Sequence, residues 1–186
     1  ENQVSTTKNA EDIGATWYLA YWADMNSAKS EEVEFRGRWI SKLGWIGYFT
    51  QFLKHATSVK LDSKIVNLDG ADSASYSLFL NMTSLKSAGH VTFNLDGTST
   101  PTTYKEGVVD LTGFTSVPAG ALAYCLCNCE SVTDVVTHTL TDKNMFDGAT
   151  ALKTVIVPEG TTLAAVGENV FNGCSSLESI AVLGTV

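Results

Sequence analysis

VFNGCSSLESI, Val170 to Ile180, nearly repeats a stretch that begins 25 residues upstream, MFDGATALKTVIVP, Met145 to Pro158. In register, Phe171, Cys174, Ser176 and Leu177 fall on Phe146, Ala149, Ala151 and Leu152. After each leucine comes a short apolar alternation, Val155 and Val157 in one copy, Ile180 and Val182 in the other. Alternation over so few residues predicts a short strand with one buried face. Pro158 ends the first of these strands, because it has no N–H to give to a ladder. A strand and a tight turn cannot bury their apolar faces alone, so such units must stack. The aromatic and the leucine then fill a core that runs along the array, and a small Cys or Ala between them suits a tight inner corner.

Looser copies lie upstream. Leu126, Cys129, Ser131, Val132 and Val135 occupy the same slots, with Leu126 to Val132 spaced as Phe171 is from Leu177. FTSVPAGALAYC also resembles LAAVGENVFNGC, with Val117 on Val166 and Leu122 on Phe171. The two alignments agree only if about four residues are inserted near Cys125, as repeat arrays allow in their loops. In the first half, NLDG occurs at Asn67–Gly70 and again at Asn94–Gly97, a shift of 27 shared by Phe52 and Phe79. TSV ending at Val59 answers TSL ending at Leu85 with a one-residue slip. Asp-Gly closing each NLDG is a turn signal, since glycine takes positive φ without steric cost.

The run ALKTVIVPEGTTLAAVGENVFNGCSSLESIAVLG, Ala151 to Gly184, resembles the BspA-like class of leucine-rich repeats. That class carries L-x-x-I-x-I-P followed by I-G-x-x-A-F-x-x-C-x-x-L. The matching positions here are Leu152, Val155, Val157, Pro158, Val166, Gly167, Phe171, Cys174 and Leu177, with Val170 replacing the alanine before the aromatic. The likeness is clear over residues 109–186, degenerate over 43–108 and absent before that. It implies a β-rich α/β solenoid of short parallel strands and short helical or 3-10 turns. It also implies a bacterial surface or secreted protein that adheres to extracellular proteins. No binding residue carries over, because the matched positions are core positions.

Composition narrows the function classes. The 186 residues are 44% hydrophobic and 17% charged, enough to bury a core. A net charge of −8, with no block of Lys and Arg, opposes binding to nucleic acid or anionic lipid. No apolar run approaches the roughly 18–20 residues that cross a bilayer. The chain starts at Glu1 rather than Met, as expected of a processed protein and compatible with a removed secretion signal. ENQVSTTKNAED, residues 1–12, reads as a polar leader.

All four tryptophans, Trp17, Trp22, Trp39 and Trp45, fall in the first quarter of the chain. AEDIGATWYLAYWADMNSA admits an amphipathic helix or a strand, and VEFRGRWI alternates as a strand. A solenoid needs its first repeat covered, so residues 13–42 are expected to form an aromatic N-terminal cap and 43–186 the solenoid. A second reading makes Trp17, Tyr18, Trp22 and Trp45 a platform for sugar rings or for a partner's apolar patch, since aromatics offer large rigid faces.

Residues suited to chemistry are sparse. His55, His90 and His138 stand far apart, and the chain has no H-E-x-x-H, G-x-S-x-G, C-x-x-C or phosphate-binding glycine loop. No cofactor is implied. The cysteines are Cys125, Cys127 and Cys129 in CLCNC, and Cys174. Because they fall within the repeat they read as small buried hydrophobes, with a local disulfide or a soft-metal site as alternatives. If CLCNC is extended, its three thiols share one face, and His138 follows nine residues after Cys129. The expected function is thus a non-enzymatic, adhesion-type module that binds an extracellular protein. A polysaccharide-binding module using the N-terminal tryptophans comes second, and a thiol-dependent enzyme third.

Overall fold

The alternation at Val155 and Val157 is indeed a strand, and it lies in a sheet built by repeating that pattern along the chain. The computed structural model describes residues 32–36, 53–68 and 77–186. Its strands are β1 (Glu32–Phe35), β2 (Ser58–Asp62), β3 (Ser87–Phe93), β4 (Ser99–Pro101), β5 (Val109–Asp110), β6 (Asp134–Val136), β7 (Thr154–Val157) and β8 (Ser179–Val182). Seven of them form one parallel sheet in the order β1-β2-β3-β5-β6-β7-β8, while β4 pairs antiparallel with β3 off this path. Turns among the described residues carry the chain back to the next parallel strand, giving a β-solenoid of about five turns.

The register shows why the strands read as they do. Val33, Val59, Ala88, Val109, Val135, Val155 and Ile180 align as one row across the sheet. The first six are 1% exposed or less. Three residues before this row stand Ala56, Leu85, Val132 and Leu152, all completely buried. Nine residues before it stand Phe79, Leu126 and Phe146, also completely buried. These are the repeat slots of the sequence, and the offset of 25 between β7 and β8 is the one read there. Each full burial of such a side chain is worth about 1.5–3 kcal/mol. The core is therefore a continuous column, fed in these layers by a Phe or Leu from the turn and by aliphatic residues at and just before the strand.

The turn side differs from the expectation of helical or 3-10 segments. The described residues contain no helix. In its place, residues with positive φ interrupt each turn run: Tyr124 and Asn128, then Asn144 and Gly148, then Asn169 and Gly173. A left-handed residue breaks the helical succession, and Asn and Gly are the residues that accept it most readily. The N–H groups consequently point along the solenoid axis into the neighbouring coil. Tyr124, Leu126 and Asn128 donate to the carbonyls of Lys143, Met145 and Asp147 at 2.8–3.1 Å. Asn144, Phe146 and Gly148 donate likewise to Glu168, Val170 and Asn172.

Two irregularities interrupt the stacking. Parallel bridges join Asn67 to Ser116 and Leu140 to Val166 at a second corner. From there to the next turn run the chain takes eight residues in one coil, Ser116 to Tyr124, and four in another, Leu140 to Asn144. The extra residues lie in Val117–Leu122, which places the inserted segment just before Cys125. The second irregularity is a hairpin. β3 runs on through Asn94–Thr98 into β4, and β5 then enters the sheet with no turn layer of its own. The turn of the β3 coil accordingly stacks directly on that of the β6 coil, Asn81 N–H donating to Cys127 O at 2.9 Å.

The NLDG echo is not a structural repeat. Asn94 opens the hairpin turn, its N–H donating to Thr98 O, whereas Asn67 lies in the bridge to Ser116. The true offset between β2 and β3 is 29, not 27. In the segment read as a cap, Glu32–Phe35 is the first strand of the sheet, with Val33 and Phe35 buried. The rest of 13–42 lies outside the described residues.

Candidate functional site

Trp17, Tyr18, Trp22 and Trp45, the residues singled out for partner binding, lie outside the described residues, as does Trp39. Three other features carry chemistry or surface: the thiols, a cleft beside the inserted segment, and the outer face of the sheet.

The four thiols are free. CLCNC is not extended: it runs through successive tight turns, Cys125, Cys127 and Cys129 N–H donating to Leu122, Tyr124 and Leu126 carbonyls. Tyr124 and Asn128, each with φ near +60°, break the alternation that would have put the three thiols on one face. Cys125 and Cys129 face the core, and Cys127 is half-buried. Cys129 Sγ donates to Phe79 O at 3.0 Å and Cys174 Sγ to Phe146 O at 3.1 Å. This slot, three residues after Leu126 and Phe171, thus ties those two coils to the preceding one, whereas Ala149 fills it without a bond. Burial raises the pKa of all four thiols, that of Cys174 to about 11. A nucleophilic thiol needs the opposite shift and a base beside it. His138 Nδ1 instead pairs with Thr161 Oγ1 at 2.8 Å.

The cleft has a volume of about 420 Å³. Leu111, Phe114 and Leu122 form its apolar floor, and Pro118, His138 and Thr141 stand at its rim. The inserted segment makes one wall, held in place by the buried Asp142 carboxylate. That carboxylate accepts the N–H groups of Gly120 and Leu122, both at 2.8 Å. Asp142 is thereby engaged in shaping the loop.

A second buried polar group sits nearby in the core. His90, 1% exposed, follows the inner row of β3, with Nε2 at 2.8 Å from Ile65 O and its ring edge-on to Phe114. Its Nδ1 has no partner. Desolvation lowers its pKa, partly opposed by the bond to Ile65 and by the Asp110 and Asp62 charges. Neutral imidazole is the form this site accepts.

The outer face of the sheet differs from end to end. Over β2 and β3 it is roofed by the segment after β4: Thr102, Thr103 and Tyr104 N–H all reach His90 O, and Lys60 Nζ lies 5.2 Å from the Tyr104 ring centre. Over β6, β7 and β8 it is open. There Val136, Ile156 and Ala181 align as one partly exposed apolar row, and Asp134, Thr154 and Ser179 as a polar row beside it. Successive strands lie about 4.8 Å apart, so the two rows make a flat patch three strands wide. The alternation in TVIV and SIAV carries this patch in its outward residues, as it carries the core in its inward ones.

Among the described residues, no three His, Cys, Asp or Glu side chains are grouped to hold a metal ion, and no helix is long and apolar enough to cross a membrane. The sequence matches no protein-family model, no curated protein and no solved structure.

Proposed function

We propose that this chain is a non-enzymatic interaction module that binds a macromolecular partner, with the open outer face of β6–β8 as its contact surface. The carrying observation is the aligned row Val136, Ile156 and Ala181, partly exposed beside Asp134, Thr154 and Ser179. A rigid sheet presents such rows at no ordering cost, and stacked coils repeat them along an extended face. The thiol environment supports the same reading, because each shift works against nucleophilic chemistry. The resemblance to BspA-like leucine-rich repeats belongs here too. It favours an adhesive role toward extracellular proteins, from a secreted or bacterial-surface location.

The test is a binding screen of the purified chain against arrayed extracellular-matrix proteins and polysaccharides, repeated with Ile156→Glu. A saturable protein hit that the substitution weakens at least tenfold supports the proposal. A glycan hit that ignores Ile156→Glu but vanishes with Trp22→Ala would transfer the function to the N-terminal tryptophans. A protein hit indifferent to Ile156→Glu would refute the assignment of this face.

A further inference from the structure

The fold does not require the inserted segment Val117–Leu122. The next coil passes from Leu140 to Asn144 without a counterpart and still forms its turn ladder. Yet the segment is anchored. Asp142 is 7% exposed, and its two oxygens accept the Gly120 and Leu122 N–H groups, each at 2.8 Å. Burying a carboxylate is unfavourable unless its oxygens are hydrogen-bonded, and here both bonds go to fixing one loop. Repeat arrays carry their insertions on one face, often the face that binds. What the fixed loop creates is the cleft of about 420 Å³.

The two chain stretches that line this cleft differ in kind. Every apolar residue in the lining comes from 111–122, with Leu111, Phe114 and Leu122 as the floor. Every lining residue from 137–142 is polar. Thr139 and Thr141 pair through their hydroxyls at 2.8 Å, and Thr161 of the next coil fixes the His138 ring through Nδ1. The His138 Nε2 has no partner among the described residues. No Lys, Arg or Glu lines the cleft, and both oxygens of Asp142 are already engaged.

We propose that this cleft binds a small neutral amphiphile, a molecule of one or two rings with an apolar body and one hydrogen-bonding edge. The body lies on Leu111, Phe114 and Leu122, and the edge meets Thr139, Thr141 and His138. Charge selects against the alternatives. An anion would find no Lys or Arg to meet it and would lie beside the buried Asp142 carboxylate. A cation would find that carboxylate occupied by Gly120 and Leu122. A wholly polar solute would leave the floor without an apolar partner. The volume stands at the small end of the roughly 300–1,000 Å³ usual for ligand clefts, which sets the limit of one or two rings. The site is separate from the outer sheet face and does not depend on the function proposed for that face.

The probe is indole, a neutral two-ring molecule with one N–H, titrated into the full chain and followed by backbone amide NMR shifts. Saturable one-to-one binding is expected, with the largest shifts among residues 111–122 and 137–142. Indole-3-carboxylate keeps the rings and adds a negative charge, and glucose lacks the apolar body. Each should bind at least tenfold more weakly than indole. Ala119→Phe fills the cleft from an exposed wall position and should weaken indole at least tenfold, with the β7 amide shifts reporting that the fold is kept. Ile156→Glu, on the outer sheet face, should leave indole binding unchanged. Absence of saturable binding would overturn the proposal. So would equal affinity for indole-3-carboxylate or glucose, or indole binding indifferent to Ala119→Phe.

Discussion

Leu152 and Leu177 occupy one slot of one repeat, so the same substitution at each isolates the contribution of the neighbouring coil. Leu152 is completely buried, three residues before the inner row, with coils on both sides. Leu177 packs on the β7 coil alone and is only partly buried. Leu152→Ala loses the full transfer free energy and leaves a cavity that a stacked backbone on both sides cannot close, which places the cost at about 2–5 kcal/mol. Leu177→Ala removes less area from contact and leaves an open notch that water fills, so its cost is about 1 kcal/mol at roughly 25 cal/mol per Å². Urea unfolding followed by far-UV circular dichroism measures both, with the midpoint shift converted through a common m value. A fall in m for Leu177→Ala would mean that the last coil unfolds ahead of the rest, as nearest-neighbour stacking permits. Equal costs at the two positions with unchanged m would refute the reasoning, because they would show the last coil to be as well covered as an internal one.

Gly167→Ala should cost about 1–3 kcal/mol through overpacking alone, since its Cβ would stand 2.5 Å from Thr141 O and 2.7 Å from Asp142 O; a neutral effect on the urea midpoint would contradict that approach. Protonation linkage should act at His90, whose folded pKa lies below its ordinary 6.5. As pH falls through that value the unfolded chain binds a proton that the folded chain refuses, so stability declines there and is flat above. Urea midpoints between pH 7.5 and 5.5 should show this slope, and His90→Leu should flatten it; an unchanged slope would sink the assignment. Maleimide labelling of the native chain should reach Cys127 and Cys174 slowly and leave Cys125 and Cys129 unmodified until unfolding, given their burial and raised pKa values. Rapid native labelling of Cys129 would overturn the picture of an inert core thiol.

What the sequence determined by itself is the repeating unit and its inward side. Phe146 and Phe171, Leu152 and Leu177, and Val155 and Ile180 declare a 25-residue offset because each coil must supply the same core slots in the same local order. The inserted segment before Cys125 was legible for the same reason, as a break in slot spacing. Asn and Gly at 144 and 148, and again at 169 and 173, were visible too, although their meaning was not. A left-handed residue can end a helix or turn an amide outward, and only the neighbouring coil, some 20–25 residues away, decides which. The tertiary structure alone showed that these amides form a ladder, that β5 lacks a turn layer, and that Asn67 and Asn94 of the two NLDG copies lie in different settings. It alone buried His90 in the core and left Ile180 uncovered. Periodic burial is a local pattern that stacking merely ratifies, whereas hydrogen-bond direction and the exposure of an end depend on what lies one coil away.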